Sequence, residues 1–203
     1  MDFDQVAKEW DTELRIERAK NIANKIKETV KFGHAYSALE FGCGTGLISF
    51  NFYNLYNNIT LIDNSKEMIK VVNDKINQLN LNNMKGLCMD VFTEQPADKV
   101  DVIYTSMALH HVIDVNKLSK EFYKMLKEKG TLCIADLDED DGSFHKKEAD
   151  FTGHNGFSQQ WLKKVLEGSG FCHVKSETFY KAKKQIDDVE IEYSLFIIVA
   201  EKE

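Results

Sequence analysis

The stretch Leu39-Glu40-Phe41-Gly42-Cys43-Gly44-Thr45-Gly46-Leu47 constrains this chain more than any other. Ala38 to Phe41 reads as a short strand, and the three alternating glycines cannot prolong it. Glycine permits a sharp turn and lets a ligand press against the backbone. A helix is expected to leave this turn near Leu47 and run to Tyr56. A strand, a glycine turn and a helix in that order form the binding edge of an open α/β sheet, with the ligand at the carboxyl ends of the strands. The dinucleotide fingerprint is G-x-G-x-x-G. Here the spacing is G-x-G-x-G, and Leu47 stands where the third glycine would be.

The rest of the chain repeats the alternation. Residues 4–31 carry Leu14, Ile16, Ala19, Ile22, Ala23, Ile26 and Val30 at helical spacing, and Gly33 ends the run. Strands are predicted at Ile59–Ile62, Gly86–Met89, Val100–Tyr104 and Thr131–Leu137, with helices from Ser65 to Leu79 and from Val115 to Leu126. A polar turn over Lys127–Gly130 precedes the fifth strand. Residues 138–157 break the rhythm with an acidic run, Asp138 to Asp141, then His145, Gly153 and His154. Long connections of this kind in compact domains are disproportionately functional. Ser158 caps a helix to Glu167. Two closing strands, Phe171–Thr178 and Ile191–Glu201, flank a loop over Phe179–Glu190, and such a pair is antiparallel. The whole, residues 1–203, reads as a single domain, with a helical cover over 1–33 and a lid-like insertion over 138–157.

Composition excludes several classes. The formal net charge is −7, and only Arg15 and Arg18 are arginines. Arginine is the usual bidentate reader of phosphate and guanine, so nucleic-acid binding is not expected. The four cysteines, Cys43, Cys88, Cys133 and Cys172, form no C-x-x-C pair, which argues against zinc ribbons and disulfide frameworks. Cys88 and Cys133 lie in apolar runs and read as small buried hydrophobes. No apolar run is long enough to cross a bilayer, and Met1-Asp2-Phe3-Asp4 lacks a signal-peptide start, so a cytoplasmic location without membrane insertion is expected.

Two further carboxylates close strands. Asp63 ends the second, where it suits the hydroxyls of a ribose, although Asp63, Asn64 or Ser65 could equally begin the next helix as a cap. Asp90 ends the third, in position to accept a hydrogen bond from an adenine amino group or to cap a loop.

Taken in order, these motifs resemble the class I S-adenosylmethionine-dependent methyltransferases, in the small-molecule branch that includes ubiquinone- and menaquinone-biosynthesis-like enzymes. Glu40–Gly46 is similar to the family's first motif and Leu61–Met68 to its second. Val100–Tyr104 through Ala108-Leu109-His110-His111-Val112 is similar to its fourth-strand motif. The turn into strand five departs, since Glu128-Lys129-Gly130 stands where the family usually has proline-glycine-glycine. The resemblance implies a Rossmann-like three-layer α/β sandwich. Its sheet would be seven-stranded and mostly parallel, in the order 3-2-1-4-5-7-6 with strand seven antiparallel. It implies S-adenosylmethionine as cofactor, held by Glu40, Gly42, Cys43, Gly44, Gly46, Asp63, Asn64, Met68, Asp90, Val91 and Ser106.

The reaction implied is in-line attack of a small-molecule acceptor on the sulfonium methyl. Orientation supplies most of the acceleration, and a base helps only if the acceptor must lose a proton. The candidates for such chemistry are His110, His145 and His154, with His111 and Asp136 beside them. No metal is expected, because no histidine pair has the i, i+4 spacing of a helical zinc motif. Trp10-Asp11 and the first helix are expected to fold over the donor. Phe144, Phe151, Phe157 and Trp161 are candidates to line an acceptor pocket. The rival readings are a nicotinamide-nucleotide oxidoreductase and a non-catalytic methyltransferase-like partner subunit.

Overall fold

The structure, a computed structural model, describes residues 2–148, 151–187 and 189–203. Seven strands form one sheet: β1 (Gly33–Phe41), β2 (Tyr56–Asp63), β3 (Met84–Cys88), β4 (Val100–Ser106), β5 (Leu126–Leu137), β6 (Cys172–Ile186) and β7 (Val189–Glu201). Their order is β3-β2-β1-β4-β5-β7-β6, as the resemblance implies. The first five run parallel, and β7 lies antiparallel between β5 and β6. Five helices accompany them: α1 (Phe3–Val6), α2 (Glu13–Thr29), α3 (Lys66–Gln78), α4 (Val115–Met125) and α5 (Gln159–Gly168). Among the described residues no helix is long and apolar enough to cross a membrane.

Both faces of the sheet are buried, which is why its inner strands are continuously apolar. Ile22, Ala23 and Ile26 of α2 and Ile69, Val72 and Ile76 of α3 pack on one face with Leu61, Tyr104 and Ile197. Leu118 and Phe122 of α4 and Leu162 and Leu166 of α5 pack on the other with Leu39, Ile103, Leu132 and Ile198. Successive residues of β7 serve opposite faces: Leu195 and Ile197 join the first cluster, Phe196 and Ile198 the second. The helices begin at side-chain caps. Thr12, Ser65, Asp114 and Ser158 each accept a backbone N–H three residues on.

Four local expectations are corrected. The helix expected over Leu47–Tyr56 is only a 3-10 turn at Ser49–Asn51 with turns on either side. Asn, Ser, Phe and Tyr are weak helix formers, and here Asn51 Nδ2 donates to the Leu47 carbonyl at 2.8 Å, competing with the backbone. In the loop expected over Phe179–Glu190, residues 179–186 and 189–190 are strand instead, paired from Tyr180↔Leu195 to Ile186↔Val189. Its Lys- and Glu-rich alternation reads as a polar loop but is that of a ribbon with one exposed face and one partly covered face, on which Ile186 is buried. The polar residues before strand five lie within β5, where the register with β4 jumps from Val100↔Leu126 to Val102↔Thr131. Finally, Cys88 is exposed on β3 at the sheet edge, whereas Cys133 is buried.

Candidate active site

The sheet order reverses between β1 and β4, and open α/β sheets bind ligands at such a switch point. A cavity of about 790 Å³ opens there. The turn after β1 forms its floor. Gly42 has φ +63°, and a Cβ added to it would stand 2.4 Å from the Cβ of Ala108, in the turn after β4. Only glycine lets these two strand ends come so close, and the same lack of a side chain exposes backbone to a ligand.

Carboxylates flank this turn. Asp63 accepts the Gly44 N–H on Oδ2 at 2.9 Å and the Ser65 N–H on Oδ1 at 2.9 Å. It therefore ties the glycine loop to the start of α3 while still lining the cavity. Burial raises its pKa, against the opposing effect of those amide donors. Glu40 is buried and hydrogen-bonded by both the N–H and the hydroxyl of Ser49, whose Oγ also lies 2.6 Å from Tyr104 Oη. Desolvation pushes the Glu40 pKa up to about 8. Asp90 uses Oδ1 to accept the Phe92 N–H at 2.9 Å, holding the turn beyond β3.

Of the residues expected to hold a cofactor, Glu40, Gly42, Cys43, Gly44, Asp63, Asn64, Met68, Asp90, Val91 and Ser106 line the cavity. Gly46 does not line it; it faces Phe50 and Leu61 behind the loop.

The N-terminal segment lies across the opening, contributing Phe3, Trp10, Arg15, Arg18, Ala19 and Ile22 to the wall. It is fastened by Asp11, which accepts from Thr45 Oγ1 in the glycine loop and pairs with Lys75 of α3 at 2.6 Å. Lys75 also donates to the Thr45 carbonyl at 2.8 Å. Arg15 stacks on the Trp10 ring with its guanidinium carbon 3.9 Å from the centroid, and donates to the Trp10 carbonyl. The sequence reasoning singled out Trp10 and missed both arginines. Their signal was present, because they are the only two arginines in the chain and lie three residues apart on one helix.

The far wall comes from the turn after β4 and from Phe151, Thr152 and Gly153. A Cβ on Gly153 would meet the His110 carbonyl at 2.1 Å, so this segment can cross the turn only as glycine. His154 N–H then donates to that carbonyl at 2.7 Å.

The candidate bases are distributed unevenly. His111 lines the cavity, but His110, His145 and His154 do not. His154 Nε2 donates to the Val112 carbonyl at 3.0 Å, pinning the insertion. His110 is buried with Nδ1 2.5 Å from Asp136 Oδ1. Burial raises the Asp136 pKa, but His110 and the backbone donors outweigh it and keep the group a carboxylate. The acidic run is structural. Asp138 accepts from Gln159, Thr178 and Ser194, and Asp140 and Asp141 cap the turn at Ser143–His145. Of the four aromatic candidates only Phe151 reaches the cavity; Phe144 and Phe157 are buried in the core.

Known proteins agree with this architecture. Residues 39–134 match the family described as Methyltransferase domain. An uncharacterized methyltransferase of Schizosaccharomyces pombe is 28% identical over 173 residues, 78% of this chain and 61% of that protein. A ubiquinone biosynthesis O-methyltransferase of Pelagibacter ubique is 32% identical over 115 residues, 56% of this chain and 47% of that protein. A malonyl-[acyl-carrier protein] O-methyltransferase of Ilyobacter polytropus is 28% identical, over 68% of this chain and 53% of its own length. The chain thus spans about half to three-fifths of these relatives.

Among solved structures, a methyltransferase of Thermotoga maritima described as a possible histamine N-methyltransferase superposes with TM-score 0.75 at 17% identity, covering 99% of this chain and 98% of that one. A Haemonchus contortus phosphoethanolamine N-methyltransferase, solved with S-adenosyl-L-methionine, superposes with TM-score 0.73 at 14% identity, covering 90% of this chain and 52% of that one. The fold, the switch-point cavity and these matches define a Rossmann-like methyltransferase domain. Residues 39–134 carry a methyltransferase domain, and the matches support a class I S-adenosylmethionine-dependent methyltransferase.

Proposed function

We propose that this protein transfers the methyl group of S-adenosylmethionine to a small-molecule acceptor. The observation that carries the reading is one cavity that joins two kinds of wall. On one side stand the glycine loop, Asp63 and Asp90, on the other the apolar and basic surface of Met107, Ile113, Phe151, Arg15 and Arg18. Its volume lies within the range of small-ligand sites.

The residues present fit the donor. Gly42 and Gly44, both at positive φ, leave the loop backbone uncovered. Asp63 offers a carboxylate for a diol, Asp90 one for an exocyclic amine, and Glu40 a partly protonated carboxyl beneath the loop. When bound, the donor supplies an already activated methyl group. The chain's task is therefore to orient and to exclude water. The strap from Phe3 to Ile22 and the segment Phe151–Gly153 close over the cavity from opposite sides. His111, whose pKa burial pushes down to about 3, is a neutral imidazole at the wall, suited to hydrogen-bond an acceptor and too weakly basic to take its proton. Relatives are named for O-methylation of malonyl-[acyl-carrier protein] and in ubiquinone biosynthesis, which supports methyl transfer without fixing the acceptor.

Calorimetric titration with S-adenosylmethionine and S-adenosylhomocysteine, with NAD and NADP as controls, tests the reading. Micromolar binding of the adenosyl ligands alone is expected. Binding of the nicotinamide nucleotides alone would overturn it in favour of an oxidoreductase. Donor binding without turnover across a broad acceptor panel would point to the partner-subunit reading.

A further inference from the structure

Beside the acceptor wall the structure gathers three histidines that lie far apart in the sequence. His110 and His111 sit on the 3-10 turn after β4, and His145 ends the 3-10 turn at Ser143–His145 in the insertion. One ring nitrogen from each lies within 4.8 Å of the others. The ring centroids are 4.2 Å apart for His110 and His111, 5.0 Å for His110 and His145, and 6.0 Å for His111 and His145.

Two features of this cluster are those of a ligand set. His145 is 95% enclosed, and its Nδ1 has no hydrogen-bond partner. A buried unsatisfied nitrogen is costly and calls for an explanation. His110 gives its Nδ1–H to the buried carboxylate of Asp136, which fixes the ring and leaves Nε2 as a lone-pair donor. A carboxylate behind a histidine is the usual outer support of a metal-ligating imidazole.

We propose that His110, His111 and His145 form a binding site for a single divalent transition-metal ion of the zinc class. The absence of an i, i+4 pair, which argued against a metal in the sequence, does not bear on a site assembled from two separate turns. Zinc–nitrogen bonds of about 2.0–2.1 Å put tetrahedral ligands about 3.4 Å apart, so the rings draw together on loading. The His145 ring is positioned by stacking on Phe151 at 3.7 Å and by an edge contact with Phe144 at 5.0 Å. Among the described residues no fourth His, Cys, Asp or Glu joins the group. Three protein ligands with an open position are the catalytic rather than the structural pattern. The open side is toward the cavity, since His111 is the member on its wall.

The role of the ion rests on the methyl-transfer reading, whereas its binding does not. An acceptor hydroxyl or thiol beside the ion becomes more acidic. Its proton passes to solvent, the acceptor atom forms the bond to the methyl carbon, the sulfonium–carbon bond breaks, and S-adenosylhomocysteine leaves.

The test uses the full chain without an affinity tag, stripped with chelator and titrated with Co²⁺ under visible absorption, then competed with Zn²⁺. One equivalent giving the intense spectrum of a tetrahedral nitrogen site, displaced by Zn²⁺, is expected. His145→Asn and His111→Asn, each checked for native circular dichroism, should weaken binding at least tenfold. No spectrum with the wild-type chain, or an unchanged spectrum in both folded variants, would overturn the site. Failure of this experiment leaves donor binding untouched, and failure of donor binding leaves this experiment untouched.

Discussion

Glu40 shows how one residue serves both the fold and the site. It is enclosed between β2 and β4, faced by Asp63 from β2, Tyr104 from β4, Lys75 from α3, and Ser49 and Cys43 from the glycine turn. With a pKa near 8 instead of 4.5, the folded chain holds a proton that the unfolded chain has lost. The stability this contributes is complete below about pH 4.5 and is lost as pH rises through about 8. A donor carrying a sulfonium charge favours the ionised form, so binding at pH 7 should release a proton from Glu40, and S-adenosylhomocysteine, lacking that charge, should release less. Calorimetry in buffers of different ionisation enthalpy reads the difference, which Glu40→Gln should abolish. Equal release by both ligands would place Glu40 outside the donor's field.

Asp63 makes the complementary case. Both of its oxygens accept backbone N–H groups, so it is not the independent surface acid that its place at a strand end suggests. Asp63→Asn keeps the shape but loses charge and one acceptor. Charge-assisted hydrogen bonds contribute about 1.5–3 kcal/mol. Donor affinity should therefore fall at least tenfold, together with a measurable drop in Tm. Loss of affinity with an unchanged Tm would mean the two backbone ties contribute nothing.

At the scale of elements, sequence reasoning succeeded where one physical rule decides the outcome. The buried strands and the capped helices α3, α4 and α5 were legible from apolar period and cap residues. So was the turn after β1, where alternating glycines end the strand, whereas Asp63 and Asp90 could equally be read as caps. What was not legible depended on tertiary context. The turn at Ser49–Asn51 has helix-like apolar content, but its serine is committed to Glu40 and Tyr104. The β6–β7 ribbon looked like a loop because charged residues alternate along it, and the burial of Ile186 arises only once the ribbon has formed. The histidine cluster could not be read, because the insertion and the turn after β4 meet only in three dimensions.

The helix α2 adds an expectation of its own. Arg15 and Arg18 place two guanidinium groups on the cavity wall of a chain with net charge −7. Burial and the neighbouring Arg18 lower the Arg15 pKa, a cost offset when an anion arrives. Carboxylated or phosphorylated acceptors should therefore bind better than their neutral esters, and Arg18→Ala should shrink that preference about tenfold, as paired titrations with an acid and its methyl ester would show. Equal affinity for acid and ester in the wild-type chain would assign these arginines to donor contact or to packing alone.

For the molecule as a whole, the cavity matters because separate parts of the fold supply its walls: the N-terminal strap, the ends of β1 to β4, the turn after β4 and the segment at 151–153. A ligand there couples elements that otherwise meet only through the sheet. Ligand at a hundredfold excess over Kd stabilises the folded state by about 2.7 kcal/mol. A domain of this size shifts about 2–4 °C in Tm per kcal/mol, so S-adenosylhomocysteine at that excess should raise Tm by about 5–11 °C, and NAD should not. Hydrogen exchange distinguishes coupling from local contact. Protection should rise together in α1, the start of α2, the turn at Leu109–His111 and residues 151–153. It should leave unchanged the ribbon tip around Lys183 and Glu190, which pairs only β6 with β7 beyond the end of β5. A Tm shift with protection confined to the glycine loop would mean that the strap and the insertion close independently of the donor, and that the acceptor, not the donor, seals the site.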